Sequence, residues 1–282
     1  MVKEKSKYTK ILEKLGEWAQ REGSLPSIVE AYDSLLRLQM EAKGSVVVLQ
    51  HGLTKEAVFS QLSRGDPLLK FDDLPLDWSL VANLFRGCAG VLVEHTSQEP
   101  TAATALEQIA SDRPTLEQAA RDWYQGQPLS SVAAEKGISD ELLAATIQAA
   151  LYPFLITYAE ALSDVVNQGV WRQRICPICG GKPDFAFLDK ERGGRWLLCS
   201  RCDMEWLFQR LQCPYCGTQG QKALSYFTND QGLYRLYTCE ECRSYIKAID
   251  LRKTQAEALL PLERILTAHL DRQAVGAGYK AG

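Results

Sequence analysis

No stretch of this 282-residue sequence resembles a membrane span. The longest apolar run, ALYPFLITYAEAL, is interrupted by Pro153 and by polar residues, short of the eighteen or so apolar residues a crossing helix needs. The opening MVKEKSKY carries no apolar signal segment, so the expected setting is a reducing, cytoplasmic one. Histidine is scarce: His51, His95 and His269 are the full set, and each reads as a packing or capping residue, not a metal ligand. No P-loop, dinucleotide-binding glycine pattern or G-x-S-x-G elbow occurs, so the motifs that carry phosphate, nicotinamide or acyl chemistry are missing. The expectation is a protein that is not an enzyme.

Cysteine is confined instead of scarce. Eight of the nine cysteines fall between residues 176 and 242 as four Cys-x-x-Cys pairs: Cys176/Cys179, Cys199/Cys202, Cys213/Cys216 and Cys239/Cys242. The intervals between pairs are 19, 10 and 22 residues. A pair with two intervening residues forms a tight knuckle whose sulfurs converge. Two knuckles supply the tetrahedral thiolate set that zinc or iron takes, and the two long intervals sit at or just above the spacing of ribbon sites. The order CPICGG…CSRC and CPYCGT…CEEC pairs the first knuckle with the second and the third with the fourth. The competing reading is a disulfide framework, which belongs to short secreted chains; the length of 282 residues and the confinement of the pairs to one quarter of it favour metal. Cys88, alone in FRGCAGVL, reads as a small buried apolar residue.

Four thiolates close a coordination sphere, whereas a catalytic metal keeps a position open and uses mixed ligands. Gly180 and Gly217 follow the second cysteine of their knuckles, where positive φ lets backbone N–H groups turn toward sulfur. The CPxCG form is common to rubredoxins and zinc ribbons, so the ligands allow iron and zinc equally. Net charge is −3 and unevenly spread. Residues 1–169 hold 15 Lys+Arg against 23 Asp+Glu, and residues 170–247 hold 12 against 8. Eight thiolates on two divalent ions would cancel that second excess of +4, which leaves little basis for a nucleic-acid surface.

The first 169 residues read as helices, and hydrophobic residues at 46% of the whole chain are enough for an ordinary core. Helical spacing of apolar residues predicts a helix over 6–21 stopped by Gly23 and one opened by a Ser27/Glu30 capping box and stopped by Gly44. Others run from Thr54 to near Gly65, from Asp77 as a cap through WSLVANLFRGCAGVLVEH, and over 101–110. A Thr115/Gln118 capping box opens LEQAARDWYQ, closed by Gly126. A short helix covers 129–136 before Gly137. Ser139 caps a long apolar helix, kinked or broken at Pro153. The connection DPLLKFDDLPLD is expected to pack its leucines under the helices. Residues 126–151 outline a helix-turn-helix without basic residues, which favours plain helix packing over DNA reading.

From 170 the period shifts toward two in FAFLD, RWLLC, ALSYF and YRLYTC, so each ribbon reads as knuckle, hairpin, knuckle. The ten-residue link CDMEWLFQRLQC holds the two ribbons close together. In it Glu205 and Arg210 can pair, and Trp206, with Trp196, either fills the core between ribbons or anchors a partner. Arg195, in RGGRW, is placed at a hairpin tip, solvated or touching a partner. After Asp250 a Thr254/Glu257 capping box opens a C-terminal helix, followed by the glycine-rich tail VGAGYKAG. The fold class is therefore α+β: a mainly helical N-terminal domain (1–169), two tandem rubredoxin-like or zinc-ribbon modules (170–209 and 210–250), and a C-terminal helix and tail (251–282).

CPICGGKP, the RWLLCSRC knuckle, EW followed by R-x-x-C-P, and CEECRSYIKAID resemble, in order, the motifs of the formate dehydrogenase accessory protein (FdhE) family. The resemblance is strong over roughly 170–275 and in outline before that. One departure is that the family usually has paired acidic residues before its last helix, where QAEALLPLERIL keeps Glu257 and Glu263. The resemblance implies a non-enzymatic, cytoplasmic maturation factor for respiratory formate dehydrogenase that binds the catalytic subunit before export. It also implies two rubredoxin-like iron sites on the eight cysteines, and partner-binding roles for Glu205, Trp206 and Arg210, to which the hairpin argument adds Arg195. The alternatives are a rubredoxin-like redox carrier or sensor and, second, a nucleic-acid-binding ribbon.

Overall fold

The computed structural model describes residues 5–48, 54–95, 101–220, 222–229 and 231–282. The chain divides into two compact units, 1–49 with 70–157 and 50–69 with 158–282. The helices in chain order are α1 (Lys7–Glu22), α2 (Ser27–Lys43), α3 (Lys55–Ser63), α4 (Trp78–His95), α5 (Thr101–Ser111), α6 (Arg113–Gln125), α7 (Ser130–Lys136) and α8 (Asp140–Leu162). Their sequences follow the expected apolar spacing. The Thr54 hydroxyl accepts from Ala57 N at 3.2 Å, the Asp77 carboxylate from Ser79 N at 2.9 Å, and the Ser139 hydroxyl from Leu142 N at 3.2 Å. Gly23, Gly126 and Gly137 end their helices with positive φ.

In the first unit α4 is central, packed by α2, α5 and α6, with Val81, Phe85 and Cys88 buried. Cys88 is fully buried and its thiol is pushed up to about 12 by desolvation, as suits an inert apolar filler. The helix α8 runs unbroken through Pro153, so of the expected kink or break the break is not found. Proline at 153 frees the carbonyl of Ala149, four residues back. Gln39, buried on α2, donates its side-chain amide to that carbonyl at 3.0 Å. Residues Asp140–Val165 are long and apolar enough to cross a membrane by length and composition, but 78% of that window is buried inside the protein, the mark of a core helix.

Two expected capping boxes in this unit are not formed. At α2 the cap is Pro26, held extended, and Ser27 is already helical. At α6 the helix begins three residues early, with Pro114 in its first turn and Asp112 as cap, while the Thr115 hydroxyl donates to Asp112 at 2.6 Å. Proline favours the first turn, where its missing N–H costs nothing.

The second unit holds one seven-stranded sheet: β1 (Pro183–Leu188), β2 (Arg195–Cys199), β3 (Glu205–Phe208), β4 (Leu224–Thr228), β5 (Tyr234–Cys239), β6 (Ser244–Asp250) and β7 (Lys280–Ala281). The order is β3-β2-β1-β6-β5-β4, with β7 also on β6. Both hairpins are present, β1 with β2 and β4 with β5. The link between the ribbons contributes the strand β3, and the two ribbons join through parallel pairing of β1 with β6. Past β6 come α9 (Leu260–Leu266) and α10 (Ala268–Gly276), two helices in place of one. The Thr254/Glu257 box is not formed: the Thr254 hydroxyl accepts from Ala256 N at 3.1 Å, and the helix waits for Leu260, with Pro261 in its first turn. Leu260 packs with Phe185, Phe187, Leu198 and Ile249, and Leu270 and Ala274 pack with Leu236 and Tyr245.

The connection after α3 does more than fill space. Leu68 N donates to Pro177 O at 2.9 Å and Leu69 N to Ile178 O at 2.8 Å. Its first half is therefore docked on the first knuckle, while Phe71 in its second half packs with Trp78 and Tyr124 of the helices, as expected.

Candidate metal centres

Each knuckle is built by its own backbone. Cys176 N donates to Gly181 O at 2.8 Å and Gly180 N to Cys176 O at 3.0 Å. The third knuckle repeats this, with Cys213 N to Thr218 O at 2.8 Å and Gly217 N to Cys213 O at 3.1 Å. N–H groups do point at sulfur: Ile178 N lies 3.4 Å from Cys176 Sγ, Arg201 N 3.3 Å from Cys199 Sγ and Tyr215 N 3.4 Å from Cys213 Sγ. The residue after the second cysteine has positive φ in all four knuckles: Gly180 at 69°, Asp203 at 53°, Gly217 at 83° and Arg243 at 54°. Glycine signalled two of these in the sequence. Laying CSRCD and CEECR over CPICG would have signalled the other two.

The sulfurs gather into two groups, Cys176/Cys179/Cys199/Cys202 and Cys213/Cys216/Cys239/Cys242, with all sulfurs of a group within 4.8 Å of one another. All nine cysteines are free. In the first group the sulfurs of Cys176 and Cys202 are 3.6 Å apart, Cys179 and Cys199 3.4 Å, and Cys179 and Cys202 3.5 Å. In the second, Cys213 to Cys242 and Cys216 to Cys239 are both 3.7 Å. A tetrahedron with metal–sulfur bonds of about 2.3 Å has edges of about 3.8 Å, so each donor set could hold one metal ion. The chemistry of the groups agrees. Burial pushes the thiols of Cys176 and Cys202 well up, and that of Cys213 to about 12. Burial also raises Cys216, but hydrogen bonds from Thr218, Cys213 and Cys242 outweigh it and bring the thiol down to about 6. Four thiolates so close together need a cation among them.

The two groups differ in exposure. All four cysteines of the first are buried, whereas in the second Cys216 is exposed and Cys242 half-buried. Around the first, Arg264 of α9 lies 3.2 Å from Asp184 and 3.1 Å from Asp203 and reaches Cys199 O at 3.4 Å. Around the second, Lys280 N donates to Arg243 O at 2.8 Å, tying the tail to the fourth knuckle, and Arg243 stacks on Tyr279 at 4.1 Å. Tyr215 OH donates to Pro183 O at 3.1 Å, from the third knuckle to the first ribbon's strand. None of these supports was read from the sequence, because each pairs residues far apart in the chain.

The remaining candidates divide by burial. Trp206 is wholly buried, its ring N–H donating to Gln173 O at 3.2 Å, so of its two expected placements the core is the one found. Trp196 stacks on Phe187 at 5.9 Å. Arg195 is 2% exposed, and its expected place at a solvated tip is corrected. Asp189 closes the turn by accepting from Arg192 N at 2.7 Å and Gly193 N at 3.0 Å, so β2 has already begun at Arg195. Glu205 opens β3 half-buried, and Arg210, beyond its end, is exposed. His95 meets Ser27 at 3.5 Å and His269 is exposed on α10; neither is grouped with the sulfurs, and His51 lies outside the described residues.

These features define a class: an α+β protein whose sheet is stapled by two four-cysteine groups of the zinc-ribbon type. A family model described as "FdhE, central domain" matches residues 175–210. A protein of Aquifex aeolicus named "Protein FdhE homolog" is 31% identical over 271 residues, covering 95% of this chain and 88% of its own. Another of that name, from Shewanella oneidensis, is 32% identical over 114 residues, covering 40% of this chain and 37% of its own. The crystal structure of the FdhE protein from Pseudomonas aeruginosa superposes with a TM-score of 0.63 at 22% identity, covering 98% of this chain and 92% of that one, a likeness of fold. The chain belongs to the FdhE family.

Proposed function

We propose that this protein is a cytoplasmic, non-enzymatic accessory factor for respiratory formate dehydrogenase that binds the enzyme's catalytic subunit. The observation that carries the reading is full-length membership of the FdhE family together with two closed four-sulfur groups. The eight cysteines act as ligands of two metal ions, Cys176, Cys179, Cys199 and Cys202 for one and Cys213, Cys216, Cys239 and Cys242 for the other. A closed thiolate sphere suits structural stapling better than reaction chemistry. The stapled sheet then offers a rigid docking platform, with Glu205 and Arg210 as the partner-facing residues. Co-purification of the intact, reduced protein with the catalytic subunit is the expected outcome of a pull-down. Its failure with metal-replete protein would remove the reading.

A second reading, a rubredoxin-like redox carrier or sensor, draws support from the exposure of Cys216, since a solvent-facing ligand gives an electron a short way in. It requires iron. Anaerobically purified protein would then carry a thiolate-to-iron(III) charge-transfer spectrum that bleaches reversibly, and a colourless zinc protein would exclude it.

A further inference from the structure

Among the described residues, the buried cations of the sheet and of α9 are, with one exception, neutralised by carboxylates. Arg235 lies 2.6 Å from Asp250, Lys247 2.6 Å from Asp271, and Arg264 is clasped by Asp184 and Asp203. Arg195 is the exception. It is 2% exposed, yet no carboxylate lies within ion-pair distance of it among the described residues. Its Nη2 donates to the backbone carbonyls of Gln209 and Gln212. Its guanidinium lies 5.3 Å from the centre of the Phe208 ring and 5.7 Å from that of Tyr237, and its Nε has no hydrogen-bond partner. Burial pulls its pKa down to about 10, so it stays charged at neutral pH. An isolated charge held out of water is strongly disfavoured unless an opposite charge lies close.

The second sulfur group is a source of negative charge at the cavity that Arg195 lines. Gln212, whose carbonyl Arg195 holds, directly precedes Cys213, and Arg195 lines one cavity with Cys213, Cys239 and Thr238. That cavity, about 20 Å³, has room for a single water. Four thiolates around a divalent ion carry a net charge of −2. We propose that Arg195 is the charge-compensating residue of the second centre, stabilising the metal-loaded tetrathiolate at Cys213, Cys216, Cys239 and Cys242. This rests on the reading that the sulfur groups hold metal. The first centre is served differently: Arg264 beside it is already neutralised by two aspartates, and Arg201 lies next to Cys199 in the second knuckle itself.

The test uses the full chain, reduced, stripped of metal and reloaded with cobalt(II). Wild type is expected to take up two equivalents with thiolate-to-cobalt bands. A graded chelator challenge, followed by thiol alkylation and peptide mapping, then reads which four cysteines have lost their metal. Arg195→Gln keeps hydrogen-bond donors for the two carbonyls but removes the charge. It should expose the second set of cysteines at about tenfold lower chelator, the usual scale for losing a supporting residue around a metal, and leave the first set unchanged. Arg195→Lys, which restores the charge, should behave within a few-fold of wild type. Equal shifts for both sets, no shift for either, or a lysine variant as weak as glutamine would each overturn the proposal. Should Arg195→Gln fail to fold by far-UV circular dichroism, Arg195→Lys alone decides, and loss of the second metal in a folded lysine variant sinks the idea. Wild type that binds no cobalt would instead remove the metal reading beneath it.

Discussion

At Asp250 the second ribbon buries a carboxylate completely, with Arg252 at 2.7 and 2.8 Å and Arg235 at 2.6 Å. Hydrogen bonds from Arg252, aided by the charges of both arginines, outweigh the cost of burial and hold its pKa down at about 2. The folded value lies below the unfolded one near 4, so the stabilisation is fully present above about pH 4 and is lost as pH falls toward 2. Asp250→Asn leaves two guanidinium groups without their shared partner and is expected to cost about 3 kcal/mol at pH 7. Denaturant titrations of wild type and variant should show this gap narrowing only below about pH 4. A gap already closed at pH 6 would mean the ionised carboxylate contributes nothing. Asp250 was legible only as the point after which the chain returns to helix, since its arginines stand 15 residues before it and two after. The eight cysteines were legible in full because their spacing is itself the geometry. The positive φ at Asp203 and Arg243 was legible only by laying their knuckles over the glycine-bearing ones, because neither residue by itself advertises that conformation as glycine does.

Among the elements, the existence of α1 to α8 followed from apolar spacing, and the errors fell on where helices begin. The three failed capping boxes, at Ser27, Thr115 and Thr254, share a cause: a nearby proline (Pro26, Pro114, Pro261) fixes the first turn and overrides the serine or threonine signal. The strand β6 escaped notice because buried strands lose the alternation that marks a half-exposed one, and β3 because its four residues, EWLF, are too few to show a period. β6 is buried at every position. Pro153 went the other way: the sequence announces a break, and the fold repairs it with Gln39. That repair makes a double-mutant prediction. Gln39→Leu strands the Ala149 carbonyl in the core and should destabilise the first unit by about 1–3 kcal/mol. Pro153→Ala supplies an amide N–H to the same carbonyl, so in that background Gln39→Leu should cost markedly less. Chemical denaturation of the four proteins gives the coupling energy, and additive costs would show that Gln39 does not serve the carbonyl freed by proline.

Across the whole molecule, the metals and the chain order predict different outcomes for α3. By sequence α3 sits among the helices of residues 1–169, more than a hundred residues before the first cysteine pair. By contacts it belongs with the sulfur groups: the segment 50–69 and the stretch 158–282 form one unit, sewn together where Leu68 and Leu69 donate to Pro177 and Ile178 of the first knuckle. Structural metal binding is folding free energy, on the order of 10 kcal/mol per site, and all eight paired cysteines lie in this unit. Stripping the metals from reduced protein should therefore raise amide hydrogen exchange throughout β1 to β6, α9 and α10, and in α3 as well. Amides of α1, α2, α4 and α6, whose core contains no sulfur group, should keep their protection, and most of the helical circular dichroism should survive. Peptides covering 55–63 decide the matter. If they stay protected with the other N-terminal helices while the sheet exchanges, the contiguous division at residue 169 is the one that governs stability, and the docking of Leu68 and Leu69 on the knuckle contributes little to holding α3.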